Sequence, residues 1–436
     1  MHQIDLDLTL DRISKIEGSA SLELRVRGGI VEHVHFKTTE FKRFFTKAMV
    51  GKSIIAIPQH LARICGTCSN AHILCSIESC EKAMGIVPTE QTMLLRILTV
   101  YGLIIRDHAL HLYLFALPDV FNKDAFLDFD ENDEQEHQLL HDGFEVKSAG
   151  NFLATLVAGR SVHGMYPTIG GFTHFPDQKG IDEAIEKLEN IRPAVKRIIK
   201  IFKDSQFHFD RKTNFMALLP KNNKYGFGFL EGTIVSNKGE AIEEKNYRDH
   251  LEHVVLPYSM ASAYKHEDES YMVGALARIN LAKNMLHPET IKSIKNVYDI
   301  FPSTDIYHNN LAQAIEILHA VDDSIEILSH TKFNPEPIIK KPYKTSVGIG
   351  VIEAPRGTLY HKVELGADGV VTGGEIVVPT GQNQINIEED IYTLVNSLLP
   401  KASKDEIADE IEKLIRAYDP CMSCASHFLK VDWDEA

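Results

Sequence analysis

From residue 3 to residue 37, apolar and polar positions alternate in stretches, which predicts β-structure turned back at Arg27-Gly28-Gly29. The period then changes. Residues 70–84 read as a helix that starts just after a C-x-x-C pair, and residues 89–117, after Pro88, read as one long helix. The second helix is apolar on nearly every face, so it is expected to be central and buried. Arg96, Arg106, Asp107, His108 and His111 interrupt it, and charges in such a helix need partners. Helical periodicity recurs near 136–158, 181–204, 275–297, 308–331, 386–399 and 403–417. A β-rich stretch runs from about 343 to 380, punctuated by glycines at 348, 350, 357, 366, 369, 373 and 374. The acidic run at 128–137 reads as a solvated loop and helix start, and 212–250 as a surface excursion of short strands and polar turns. The chain has no internal repeat.

These elements predict an α+β fold, mainly helical, with a central buried helix bundle and peripheral β-structure. The chain of 436 residues, 44% of them hydrophobic, can bury a large core. A net charge of -15 argues against nucleic-acid binding and against docking on an anionic membrane, both of which need clustered Lys and Arg. No run of about 18 apolar residues predicts a membrane span. The first residues lack the apolar stretch of a signal peptide, so a cytoplasmic location is expected unless an exported partner carries the chain.

The chemistry lies in the cysteines. Four of six form two C-x-x-C pairs, Cys65/Cys68 and Cys421/Cys424, with 352 residues between them. A tight turn brings both sulfurs of such a pair to one side. Zinc, a redox dithiol or another thiolate-bound metal all fit that spacing. Zinc ribbons usually keep their pairs far closer, and only a fold that joins both ends of the chain would unite these. Cys75 and Cys80 follow on the helix after the first pair and read as small buried hydrophobes.

The surroundings of the pairs narrow this. Arg63-Ile64-Cys65-Gly66-Thr67-Cys68, with His72, and Asp419-Pro420-Cys421-Met422-Ser423-Cys424, with His427, together resemble the large subunit of nickel–iron hydrogenases. Lys15-Ile16-Glu17-Gly18, Asp107-His108-Ala109-Leu110-His111-Leu112-Tyr113, Gly159-Arg160-Ser161-Val162-His163, Glu353-Ala354-Pro355-Arg356-Gly357 and Val377-Val378-Pro379-Thr380 resemble further motifs of that family. The tone is closest to cytoplasmic sulfhydrogenases and methanogen-type hydrogenases.

The resemblance implies nickel bound terminally by Cys65 and Cys421 and bridged to iron by Cys68 and Cys424, the iron carrying one carbon monoxide and two cyanides. Arg356 would stand over the open metal position with Asp107 and Asp419 as its partners. His72 would hydrogen-bond a bridging thiolate, Pro355, Pro379 and Thr380 would cradle the diatomic ligands, and Glu17 would take the proton leaving Cys421. The His108/His111 pair is three apart on one helical face, a spacing that also suits a metal, but the family motif treats it as structural. A magnesium would use His427, the carbonyl of Ile376 and a glutamate 19 residues before Cys65. That position holds Thr46, a poorer ligand for a hard cation, with Glu40 a replacement carboxylate. Thr67 stands where the family usually has valine. Residues 428–436 match a tail that family precursors lose to a maturation endopeptidase.

The implied unit is a single one, 1–436, catalysing reversible H2 oxidation. It would pass electrons to an iron–sulfur small subunit, with further electron-acceptor subunits beyond it. Two other classes compete with this reading: an H2 sensor, marked by slow turnover and a regulatory partner, and a zinc-stabilised scaffold related to the quinone-reductase subunit of respiratory complexes. Retention of all four cysteines counts against the scaffold.

Overall fold

The computed structural model describes residues 5–41, 44–220, 227–399 and 401–426. The alternating N-terminal stretch forms an antiparallel meander, β1 (Leu6–Leu10), β2 (Ala20–Arg27) and β3 (Ile30–Thr38), with Leu22, Leu24 and Val26 of β2 buried on one face. Two short helices follow, α1 (Phe45–Ala48) and α2 (Ile57–Leu61), and deliver the chain to the first cysteine pair.

The helical body is built round α3 (Ser69–Met84) and α4 (Glu90–Ala109), both buried almost throughout; for α4 the all-round apolar sequence requires it, while α3 buries polar residues as well. The Thr89 hydroxyl accepts from Thr92 N–H and starts α4. At its far end the winding loosens into a π-turn over Leu110–Ala116 before closing as α5 (Leu117–Val120). Then α6 (Glu134–Ala158), capped by Asp133, packs along α4, and α7 (Gln178–Lys203) packs on α6. Gly102 and Gly150 fix how closely α4 and α6 approach: a Cβ on Gly102 would sit 2.7 Å from Ala154 N, and one on Gly150 2.6 Å from Arg106 N. That contact sets the depth of Arg106 and Asp107. The two-residue strands β4 (Pro167–Thr168) and β5 (Gly171–Phe172) lie between α6 and α7.

Residues 212–250 depart from expectation. Strands β6 (Met216–Leu219), β7 (Thr233–Ser236) and β8 (Ala241–Glu243) form an antiparallel sheet, and β9 (Glu252–Val255) pairs with β10 (Ser262–Lys265). Rather than a surface excursion, Met216, Leu218, Ile234, Ile242 and Tyr247 make a second apolar cluster with Val351, Tyr360 and Val377. The polar turns between the strands hide this in the sequence. The pattern over 275–297 is likewise broken, into α8 (Ala275–Ala282) and α9 (Pro288–Ser293), because Pro288 has no N–H for a continuous helix and instead starts a new one.

After α10 (His308–His330) comes the predicted β-rich stretch, the antiparallel sheet β11 (Ser346–Ala354), β12 (Gly357–Leu365) and β13 (Val371–Val377). It packs on α3. Helix α11 (Pro379–Leu398) begins seven residues before its predicted start, α12 (Lys404–Ala417) follows, and α13 (Met422–Ala425) carries the last cysteine. The architecture is therefore the α+β, mainly helical one expected, with Glu90–Ala109 inside it. His427 and residues 428–436 lie outside the described residues.

Candidate metal centre

The four cysteines meet. Cys65 precedes α3 and Cys68 stands at its N-cap, while Cys421 stands at the N-cap of α13 and Cys424 lies within its single turn. All four sulfurs lie within 4.8 Å of one another. Cys65 Sγ is 3.5 Å from Cys421 Sγ, and Cys68 Sγ is 3.0 Å from Cys424 Sγ. Each is a free, buried thiol. Two local devices bring the ends of the chain together. Asp419 takes the left-handed conformation, φ 52, and turns the chain out of α12. Glu17 then pairs with Cys421 in an isolated parallel bridge, Met422 N donating to Glu17 O at 2.9 Å. Gly18 (φ 82) permits this: a Cβ there would stand 2.9 Å from Met422 Cβ and 3.1 Å from Ser423 N.

Hydrogen bonds from Cys421, Cys424 and Cys68 push the Cys65 thiol well down, while burial pushes Cys421 and Cys424 well up. Four thiolates this close and this deeply buried would repel one another, so holding all four ionised requires cationic metal at their centre. A soft donor set of this kind, closed to water, fits nickel and iron and fits zinc as well.

What surrounds the sulfurs is not the shell of a plain zinc knot. Glu17 Oε2 accepts from Cys421 Sγ at 3.0 Å and from Ser423 N at 3.1 Å. Burial raises its pKa, helped by the charge on Cys65; the bonds from Cys421 and Ser423 and the charge of Arg356 oppose that rise. Arg356 donates from Nη1 to Asp107 Oδ2 at 2.6 Å, from Nη2 to Asp419 Oδ1 at 2.8 Å, and from Nε to Asp419 O at 2.8 Å. A small buried cavity opens beside Cys68, Cys421 and Cys424; His72, Pro355, Arg356, Pro379 and Thr380 line it. Thr380 Oγ1 accepts from Cys421 N at 2.9 Å, which leaves its own O–H free to donate into that cavity. Ile376 sits on β13 opposite His361.

His72 reaches Cys424 Sγ through Nε2 at 3.6 Å. Burial pushes the imidazole down to about 4, so the ring is neutral. Its Nδ1 lies 3.1 Å from His361 Nε2, and a chain of donors from His361 through His72 to the sulfur satisfies both contacts.

Sequence reasoning does not single out His361: in the alternation of β12 nothing marks it. It misses Gln313 too, which donates to Asp419 Oδ2 at 2.9 Å and meets His111 Nδ1 at 2.6 Å. A polar residue on the buried face of α10 is the one available signal. His111 Nε2 contacts Arg416 O at 2.8 Å, and His108 Nε2 pairs with Glu316 at 2.9 Å. Those two histidines bind different partners and form no common site. Cys75 lies against the carbonyls of Gly350 and Leu359, apart from the centre.

A magnesium finds little support among the described residues. Thr46 sits on α1, which packs against the strand of Ile376, but no group of three carboxylate, imidazole or thiol ligands gathers there.

Residues 45–155 and 229–427 match the family model described as nickel-dependent hydrogenase. The chain is 31% identical over 428 residues to the alpha subunit of sulfhydrogenase 2 from Pyrococcus furiosus, covering 97% of this chain and 100% of that one. It is 27% identical over 458 residues to a component of the F420-non-reducing hydrogenase of Methanothermobacter marburgensis, covering 96% of this chain and 94% of that one. Its fold superposes on an NAD+-reducing [NiFe]-hydrogenase in the H2-reduced state with a TM-score of 0.85 at 23% identity, over 97% and 99% of the two chains. The family match spans both cysteine pairs and most of what lies between them, and the chain belongs to the nickel-dependent hydrogenases, as a catalytic subunit for H2 chemistry.

Proposed function

We propose that Cys65, Cys68, Cys421 and Cys424 hold a nickel–iron centre whose iron carries carbon monoxide and cyanides, and that the chain interconverts H2 with protons and electrons there. The observation that carries this is the convergence of four buried sulfurs with a carboxylate on one side and a doubly paired guanidinium on the other. When bound, the metals supply a Lewis-acidic position at which H2 is polarised.

The protein's part is to hold charge and move a proton. Arg356 keeps a fixed positive charge at the cavity wall, and Asp107 and Asp419 fix the plane of its fork. Glu17 receives a proton from Cys421 Sγ across their 3.0 Å contact; its raised pKa brings it toward the range where it can both accept and release one. His72 tunes the Cys424 sulfur. Thr380, Pro379 and Pro355 shape the wall where diatomic ligands on iron would lie, with Thr380 Oγ1 the donor to a cyanide.

Cys75 and Cys80 are buried away from the centre, so the six cysteines leave nothing for an iron–sulfur relay. Electrons therefore leave through an iron–sulfur small subunit, then through electron-acceptor subunits. None of the described helices is long and apolar enough to cross a membrane, and we place the assembly in the cytoplasm. An endopeptidase that removes residues beyond His427 belongs to the same reading.

The deciding experiment is metal analysis of the purified protein with infrared spectroscopy. Nickel and iron in equal amounts, with bands from bound carbon monoxide and cyanide, are expected. Zinc without nickel, and no such bands, would end the proposal.

A further inference from the structure

Outside the sulfur centre, a second set of ligand atoms converges. His208, in the segment after α7, and Asp305 and His308, at the start of α10, place their ligand atoms within 4.8 Å of one another. His208 Nδ1 is 2.8 Å from Asp305 Oδ2, and His308 Nε2 is 4.0 Å from the same oxygen.

The outer contacts leave the inward-facing atoms available. Asp305 Oδ1 accepts from Phe209 N at 3.2 Å and Tyr307 N at 2.9 Å, so Oδ2 is the oxygen that faces both rings. His308 Nδ1 meets Ser303 Oγ at 2.7 Å, and Ser303 Oγ also accepts from Asp305 N at 3.1 Å. A hydroxyl on one imidazole nitrogen fixes the ring and presents the other, the role that a carboxylate, carbonyl or water usually plays behind a metal-ligating histidine. The spacing also suits a metal. Two ligands bound at about 2.0–2.2 Å on a tetrahedral ion stand roughly 3.3–3.5 Å apart. For the two gaps to Asp305 Oδ2, opening one and closing the other by less than about 1 Å reaches that spacing, and the ligand atoms of His208 and His308 lie within 4.8 Å of each other. The His208 side chain is 59% exposed and has room to move. Burial lowers the His308 pKa, against the charges of Asp305 and Asp210 and with that of His208, which favours the neutral ring a metal needs.

We propose that His208, Asp305 and His308 form a site for a borderline divalent cation such as Zn2+, distinct from the catalytic centre, with its remaining coordination positions open to solvent. Two imidazoles and one carboxylate suit that class of ion better than magnesium or calcium, which prefer all-oxygen shells. The site would clamp the segment after α7 to the start of α10. Those segments already touch at the Asp210–Asp305 bridge and through Ile306 N donating to Phe209 O at 3.1 Å. Since α10 carries Gln313, a clamp at its first turn would steady a helix that reaches the catalytic centre without adding a ligand to it.

The test uses holoenzyme stripped of loosely held metal by a chelator, then titrated with Zn2+ against a chromophoric indicator and, separately, with Co2+ read by its visible absorption. Wild type is expected to take up one equivalent beyond the metals it retains, with a rise in Tm. His208→Ala and His308→Ala should each weaken that equivalent by more than about tenfold and abolish the Tm rise, and Ser303→Ala should weaken it less. His137→Ala, which removes half of the exposed His137/His141 pair on α6, should leave it unchanged. Retained nickel, iron and H2 oxidation should be the same in all four variants. Absence of the extra equivalent in wild type, or its full retention in His208→Ala, would overturn the site and leave His208 and Asp305 as an ordinary surface ion pair.

Discussion

Arg278 and Arg356 are both buried, and each lies between two carboxylates, yet they are finished differently. Arg278 donates to Glu316 from Nε at 2.6 Å and Nη2 at 2.7 Å, to Glu353 from Nη1 at 2.7 Å, and to the carbonyls of Ala354 and Pro355 at 3.0 Å each. All five of its N–H bonds are engaged. Arg356 uses three, on Asp107, Asp419 and the Asp419 carbonyl, and lines the cavity beside the sulfurs. The carbonyls of Ala354 and Pro355 that close off Arg278 come from the loop that presents Arg356. The difference separates a charge whose capacity is exhausted in holding the fold from one with N–H bonds left for a reacting molecule.

The largest effect expected is from Cys421→Ser. A hard hydroxyl replaces a soft thiolate, so nickel and H2 oxidation should both be lost. Full nickel occupancy in that variant would remove the premise that Arg356 faces a metal. Next is Arg356→Lys, which keeps charge but loses the planar fork. Nickel and iron should remain while H2 oxidation falls roughly 10²–10³-fold. The same change at position 278 should leave turnover per bound nickel within a few-fold and lower stability instead. If both variants gave the same profile, the two arginines would not differ in kind.

Glu17→Gln should keep the metals and suppress both H2 production and H/D exchange with solvent by roughly 10²-fold or more. Isotope exchange at matched metal content reads this; normal exchange would leave Glu17 a structural bridge to Cys421 alone.

The smallest effect on turnover accompanies a pH-dependent change in stability. Burial raises the Glu316 pKa, but Arg278 more than offsets it and holds the carboxyl below its ordinary 4.5. In wild type its stabilisation is therefore present above about pH 4.5 and lost as pH falls through the folded value. Arg278→Met removes the main offset and leaves only His108 beside the carboxyl, so the pKa is expected to rise, and its contribution is then best at low pH and lost as pH rises. The variant should be destabilised by about 3–5 kcal/mol at neutral pH. The deficit should shrink toward pH 4.5 as the carboxyls left without Arg278 take up protons. Thermal melts of both proteins across pH 4.5–8 test the sign.

Much of the molecule is legible in the sequence because it rests on local pattern. The burial of Glu90–Ala109 follows from apolar residues on every face, and the β11–β13 sheet from alternation broken by glycines. The two cysteine pairs, Arg356 and Glu17 stand in motifs whose residue types are themselves the chemistry. What escapes depends on contacts distant in sequence. His361 matters only because β12 passes beside α3, Gln313 only because α10 crosses under Asp419, and the burial of Met216 and Leu218 only because another sheet covers them. Arg278 gives no signal either, since its partners are 38 and 75 residues away. The early start of α11 is hidden by Pro379-Thr380-Gly381-Gln382, a proline, a glycine and two polar residues buried at the helix entrance.

The bridge between Glu17 and Cys421 also bears on time. Its partners are 404 residues apart, so the entropy of closing that loop is spent only when nearly everything between them is in place. The pocket for the metals is therefore expected to complete late in folding. Lesions in the remote core, even ones that touch no ligand, should first become visible as under-filled nickel sites rather than as slower turnover by filled ones.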